Sequence, residues 1–211
     1  MKRRLFLISA LIAVGGGAMA QEPQEASKPA PKASAKAGKW AGPEVTLYTT
    51  KGDIVITLDM VGAPKTAQQF LAVVKSGHYS NAAFYRIEPG FLIQAGDYDP
   101  AGRRRKAQRP NVPLETATNK HARGAVALAH GDDPNSGTST FYIDLAANEQ
   151  LNAEAGAPPN TTGFAVFGHV TSGMKVVDAI SRAKLNPAAG IFIGKEPFDP
   201  IVITKAAVTK E

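Results

Sequence analysis

Cysteine is absent from the chain. That excludes a disulfide framework, a thiol nucleophile, an iron–sulfur site, a Cys-type zinc site and a lipid-bearing cysteine. Long apolar runs are missing too. The run from Leu5 to Val14 covers ten residues, too few for a bilayer, which takes about twenty. No Gly-x-Ser-x-Gly elbow, phosphate-cradling glycine loop or dinucleotide fingerprint occurs, so the sequence offers no obvious nucleophile and no cofactor. The four histidines, His78, His121, His130 and His169, lack the spacing that zinc requires. They read as ordinary turn or strand residues, and no metal is expected.

An excess of one charge is also missing once the chain is divided. The formal charge of +6 comes from 24 basic and 18 acidic residues. Three bases lie in residues 1–20, and four (Lys28, Lys32, Lys36, Lys39) lie in 21–40 with Glu22 and Glu25; from Ala41 onward 17 bases face 16 acids. A domain-wide basic face for nucleic acid is therefore disfavoured. The segment 41–211 is long enough for one domain with a sizeable core.

What is present divides the chain in three. Lys2, Arg3 and Arg4 precede the apolar run, and Ala18-Met19-Ala20 follows as a small-x-small cleavage site. Residues 1–20 therefore read as a secretory signal peptide cut after Ala20, favouring the general route over the twin-arginine one, with a periplasmic destination and no stable membrane anchor. Residues 21–40 are rich in Ala, Lys and Pro and read as a disordered linker, since they cannot bury enough surface to offset chain entropy.

From Glu44 the pattern becomes sheet. Val45–Thr50 and Ile54–Leu58 predict an antiparallel hairpin around Lys51-Gly52-Asp53. Further strands are expected at Ala82–Ile87, Phe91–Gln94, Gly124–Ala129, Ser139–Leu145, Phe164–Val170 and Ile201–Val208, with helices over Pro64–Ser76 and Met174–Ala183. Eight short strands with two helices argue for a mainly β fold, a closed eight-stranded antiparallel β-barrel capped by two α-helices. The basic run Arg103-Arg104-Arg105-Lys106 with Arg109 reads as a solvated loop or as a contact for acidic partners.

One segment concentrates chemistry. Phe84 to Asp97 places two strands around Pro89-Gly90. If strand alternation holds, Arg86 and residues from Phe91 to Gln94 converge on one patch, a cation beside an aromatic wall. Phe84-Tyr85-Arg86-Ile87-x-Pro89-Gly90-Phe91-Leu92-Ile93-Gln94-x-Gly96-Asp97 resembles the signature of the cyclophilin-type peptidyl-prolyl cis-trans isomerases. Arg123–Ala129, Ser139–Ile143 and Phe164–Gly168 follow in that family's order.

The resemblance covers essentially all of 44–208, and with the export signal it is similar to the periplasmic bacterial members. It implies an enzyme that rotates Xaa-Pro bonds, assists the folding of exported proteins, acts on proline-containing segments as a monomer, and needs no nucleophile or metal. On that resemblance Arg86 is the guanidinium donor and Gln94 positions it. Phe91, Leu92, Tyr142, Leu151 and Phe164 line the proline pocket, while Ala129, His130 and Thr140 hold the peptide.

Four positions depart from the family's pattern. Thr140 stands in place of Gln, Gln150 in place of an aromatic that is often Trp, Phe164 in place of the His of many members, and Tyr142 in place of Phe, adding a hydroxyl that needs a partner. Thr140, Gln150 and the 103–109 loop motivate the alternative of a non-catalytic module that binds Pro-containing peptides or an envelope partner.

Overall fold

The computed structural model describes residues 40–105, 109–188 and 190–211. The expected signal peptide at 1–20 and the linker, apart from Trp40, lie outside the described residues.

The chain opens on the expected hairpin. β1 (Glu44–Thr49) and β2 (Gly52–Leu58) pair antiparallel, with Thr49 opposite Gly52 across the turn. Helix α1 (Pro64–Lys75) follows with proline in its first turn, where the missing N–H costs no hydrogen bond. Its Thr66, Ala67, Phe70, Val73 and Val74 are buried, the spacing of one helical face.

Six more strands complete the molecule: β3 (Ala82–Glu88), β4 (Leu92–Ala95), β5 (Ala125–Leu128), β6 (Phe141–Asp144), β7 (Ala165–Ser172) and β8 (Val202–Lys210). Helix α2 (Met174–Ser181) lies between the last two and buries Val177 and Ile180. The sheet closes in the order β1-β2-β7-β5-β6-β4-β3-β8, with β8 returning to β1 and every pairing antiparallel. The expected barrel with two helices is the observed fold, its element ends shifted by no more than two residues.

Strand alternation sends one set of side chains inward. Ile93 and Ala95 of β4, Val126 and Leu128 of β5, Phe141 and Ile143 of β6 and Phe167 of β7 join a buried core reaching both helices. Phe70 of α1 plugs the centre, its ring 4.9 Å from Phe167, 5.3 Å from Tyr79 and 5.5 Å from Phe141. The Tyr79 hydroxyl donates to the Ser139 carbonyl at 2.8 Å, which removes the cost of burying it.

The other set faces outward on β4, β6, β5 and β7. Leu92, Ala125, Ala127, Tyr142 and Val166 form a second buried cluster, with Trp40, Phe91, Ala129, Leu151 and Phe164 packed on it. Loops cover this outer face, among them a 3₁₀ turn at Glu149–Leu151 that the sequence pattern did not suggest.

Candidate active site

Between β3 and β4 the turn Glu88-Pro89-Gly90-Phe91 closes with the Phe91 amide on the Glu88 carbonyl at 2.9 Å. Gly90 has φ +76, as the third position of a Pro-Gly turn requires. Behind the turn, Phe84 pairs with Ala95 but Arg86 pairs with Gln94, so β3 carries one extra residue. This bulge breaks alternation. Phe84 and Ile87 both enter the core, while consecutive Tyr85 and Arg86 both reach Gln94 on the outer face.

A cleft of about 310 Å³ opens there, lined by Arg86, Phe91, Leu92, Gln94, Ala129, His130, Tyr142, Leu151, Phe164 and Phe192. Its volume is at the low end for a small-ligand site. Alternating alanines on β5 leave the depth; aromatic rings form the walls. Tyr142 meets Phe164 edge-on at 5.9 Å, and His130 stacks on Phe164 at 4.4 Å.

The structure thus brings together nine of the ten residues singled out from the sequence. Thr140 is half-buried and outside that lining. The Ala129 amide is already bonded to the Thr140 carbonyl at 2.8 Å, so it is not free for a bound peptide. Gln150 is exposed on the far side of the 3₁₀ turn.

Arg86 is held from two sides. Its Nε donates to Glu88 Oε1 at 2.7 Å, Nη2 lies 2.5 Å from the same oxygen, and Nη1 donates to Gln94 Oε1 at 3.1 Å. Gln94 in turn donates to the Tyr85 hydroxyl at 2.7 Å. A guanidinium has five N–H donors. Hydrogen bonds take Nε–H and one N–H of Nη1, and Nη2 makes the ion-pair contact, so each terminal nitrogen keeps an N–H to spare. The arginine side chain is 27% exposed, so the charge sits at the rim and does not swing in bulk water.

Comparison with known proteins bears on this geometry. The family model for the cyclophilin type peptidyl-prolyl cis-trans isomerase/CLD matches residues 44–208. A peptidyl-prolyl cis-trans isomerase of Streptomyces antibioticus is 37% identical over 167 residues, covering 78% of this chain and 97% of that protein. The chain belongs to the cyclophilin-type peptidyl-prolyl cis-trans isomerases. Peptidyl-prolyl cis-trans isomerase B of Escherichia coli is 38% identical over 137 residues, 64% of this chain and 82% of its own. A crystal structure of a Cryptosporidium parvum cyclophilin, obtained in the presence of the dipeptide Ala-Pro, superposes with a TM-score of 0.64 at 25% identity, covering 80% of this chain and 99% of that one.

Several residues of this cyclophilin's site escaped the sequence reading. Glu88 anchors both Arg86 and Lys195, whose Nζ is 3.3 Å from Glu88 Oε2. Burial works to raise the Glu88 carboxyl, but the hydrogen bond and charge of Arg86, then of Lys195, outweigh it and hold the pKa below the ordinary carboxylate range. Tyr85 fixes the far end of Gln94, and burial pushes its phenol pKa well up. Phe192 enters from a loop far along the chain.

A polar bracket supports the aromatic walls. His121, read from sequence as an ordinary histidine, is fully buried with Nδ1 2.8 Å from Asp144 Oδ2 and Nε2 3.2 Å from the Phe164 carbonyl. One proton is shared across the first contact, and Nε2 donates in the second. Asn148 Nδ2 donates to Asp144 Oδ1 at 2.6 Å and to the Phe91 carbonyl at 2.9 Å. Burial raises the Asp144 carboxyl, partly offset by His121 and Asn148. The Tyr142 hydroxyl is buried without a partner.

Of the basic run, Lys106 lies outside the described residues, while each described arginine has a partner within the molecule. Arg103 pairs with Asp99 at 2.8 Å, Arg104 with Asp97 at 3.5 Å, and Arg105 donates to the Ser80 carbonyl at 2.7 Å. Arg109 donates to the Ala72 carbonyl at 3.2 Å.

Proposed function

We propose that this isomerase rotates Xaa-Pro bonds of exported proteins in the periplasm, using the cleft between Arg86 and Phe164. The observation that carries this reading is a guanidinium fixed by Glu88 and Gln94 at the rim of a ring-sized apolar hollow. The uncatalysed barrier, about 18–20 kcal/mol, comes from amide resonance. At the top of that barrier the prolyl nitrogen is pyramidal and carries a localised lone pair.

Phe91, Leu92, Tyr142, Leu151 and Phe164 grip the proline ring. The two free N–H groups of Arg86 meet the pyramidal nitrogen and the proline's own carbonyl. That oxygen stays still while the carbonyl of the preceding residue swings. Because Gln94 and Glu88 already hold the guanidinium, no reorganisation is required at the moment of rotation. Ala129 and His130, which line the cleft, bound the side along which the peptide extends. The Ala-Pro dipeptide present with the Cryptosporidium relative supports proline-containing segments as partners.

NMR exchange on an Ala-Pro peptide tests the assignment: Arg86→Ala lowers kcat/KM by on the order of 10²–10³, the loss for one preorganised donor. Unchanged exchange would overturn it. Export is supported by the basic start, the apolar run and Ala18-Met19-Ala20, and matters because Xaa-Pro isomerisation takes tens to hundreds of seconds. Cell fractionation with N-terminal sequencing is expected to find a periplasmic chain starting at Gln21; a cytoplasmic chain retaining Met1 removes the export part of the proposal.

A further inference from the structure

The loop from Asn186 to Asp199 carries an Ile191-Phe192-Ile193 triplet between two glycines, Gly190 and Gly194. Ile191 and Phe192 are each 39% exposed and Ile193 is 76% exposed. Apolar side chains left in water together mark a contact surface. This group is continuous with the proline cleft, because Phe192 lines it.

The loop is built against the catalytic strand. The Ile87 amide donates to the Lys195 carbonyl at 2.8 Å, and Lys195 Nζ reaches Glu88, the same carboxylate that holds Arg86. Glu196 Oε1 accepts the Ile191 amide at 2.7 Å, and the Lys195 amide closes a turn onto the Phe192 carbonyl at 2.8 Å. Gly190, at φ +111, leaves room where a Cβ would collide with the Glu196 side chain. So held, the Phe192 ring lies 5.2 Å from the Arg86 guanidinium carbon and stacks on Tyr85 at 6.0 Å.

We infer that Phe192 is a specificity-determining residue, whose ring, beside Ile191 and Ile193, receives a large apolar side chain on the residue that follows proline. The inference rests on the reading of Arg86 given above. The direction follows from the chemistry. A guanidinium fixed in place can hold only the carbonyl that does not swing, which is the proline's own, so the next residue leaves the cleft past Arg86. Phe192 stands at that exit. His130 and Ala129 bound the other end of the cleft, where the preceding residues enter. A leucine or phenylalanine after proline would cover the exposed ring, while a glycine would leave it in water. An acidic residue would be drawn to Arg86 but would meet Glu88 and an apolar wall.

The test compares kcat/KM for Ala-Ala-Pro-Phe and Ala-Ala-Pro-Gly peptides by NMR exchange, in the unaltered enzyme, Phe192→Ala, Phe192→Tyr and Arg86→Ala. The Phe-to-Gly ratio is expected to fall roughly fivefold in Phe192→Ala, mainly through KM, the size of one aromatic pair. It is expected to survive in Phe192→Tyr, which keeps the ring. An unchanged ratio in Phe192→Ala overturns the inference. So does an equal loss for both peptides, since the ring would then only steady Arg86. Arg86→Ala separates the two levels: if it keeps full exchange, the cleft reading fails; if exchange collapses while the Phe192→Ala ratio holds, only the specificity role fails.

Discussion

The inside and the outside of the same four strands have opposite designs. On β4, β5, β6 and β7 the inward residues, Ile93, Ala95, Val126, Leu128, Phe141, Ile143 and Phe167, are all apolar and join the core around Phe70. Their outward neighbours are mixed in size, Ala125 and Ala127 beside Leu92, Tyr142 and Val166, and place Gln94 and Asp144 beside them. The interior fills space and so fixes the shape. The exterior leaves space and surrounds it with polar groups whose partners are already assigned. Stability and chemistry are thereby carried by alternate residues of one sheet.

Substitutions can sharpen or break that division. The largest effect is expected inside. Phe70→Ala removes the ring that touches Tyr79, Phe141 and Phe167, and costs about 3–5 kcal/mol of stability. Urea titration measures the loss, while kcat/KM of the folded fraction stays at the original value. A proportionate fall in kcat/KM would show that the two faces are not separable.

Next in size is Glu88→Gln, outside. In the original protein the carboxyl is held below its ordinary 4.5 by Arg86 and Lys195 despite burial. A lowered pKa stabilises the folded site above about that pH and is lost as pH falls through the folded value. The acid limb of kcat/KM therefore lies below 4.5, and Glu88→Gln abolishes it while lowering the plateau about tenfold, the size of a hydrogen bond to a charged group. A pH–rate profile that keeps the limb in the variant assigns it to another group. The smallest effect is Tyr142→Phe. Removing a buried hydroxyl without a partner is expected to stabilise by about 1 kcal/mol; a lower melting temperature in calorimetry would mean that the hydroxyl is satisfied.

The sequence made the barrel readable because strand and turn chemistry are local. β-branched runs marked β1, β2 and β8, and the contiguous stretch from Phe84 to Asp97 carried most of the site. Where alternation was the guide, one extra residue defeated it. The bulge at Tyr85 turns two successive side chains outward, so Tyr85's hold on Gln94 had no periodic signature. Phe192 lay beyond reach for a different reason. It meets Arg86 only because the Ile87 amide and Glu88 tether a loop more than a hundred residues later. The signal available was the apolar triplet between Gly190 and Gly194, set in a stretch without strand pairing.

Asp144 illustrates what burial adds to a single side chain. Through Asn148 it fastens the backbone of Phe91, and through His121 that of Phe164, on opposite flanks of the hollow. One carboxyl group therefore works as a caliper, setting the gap between two jaws it never touches directly.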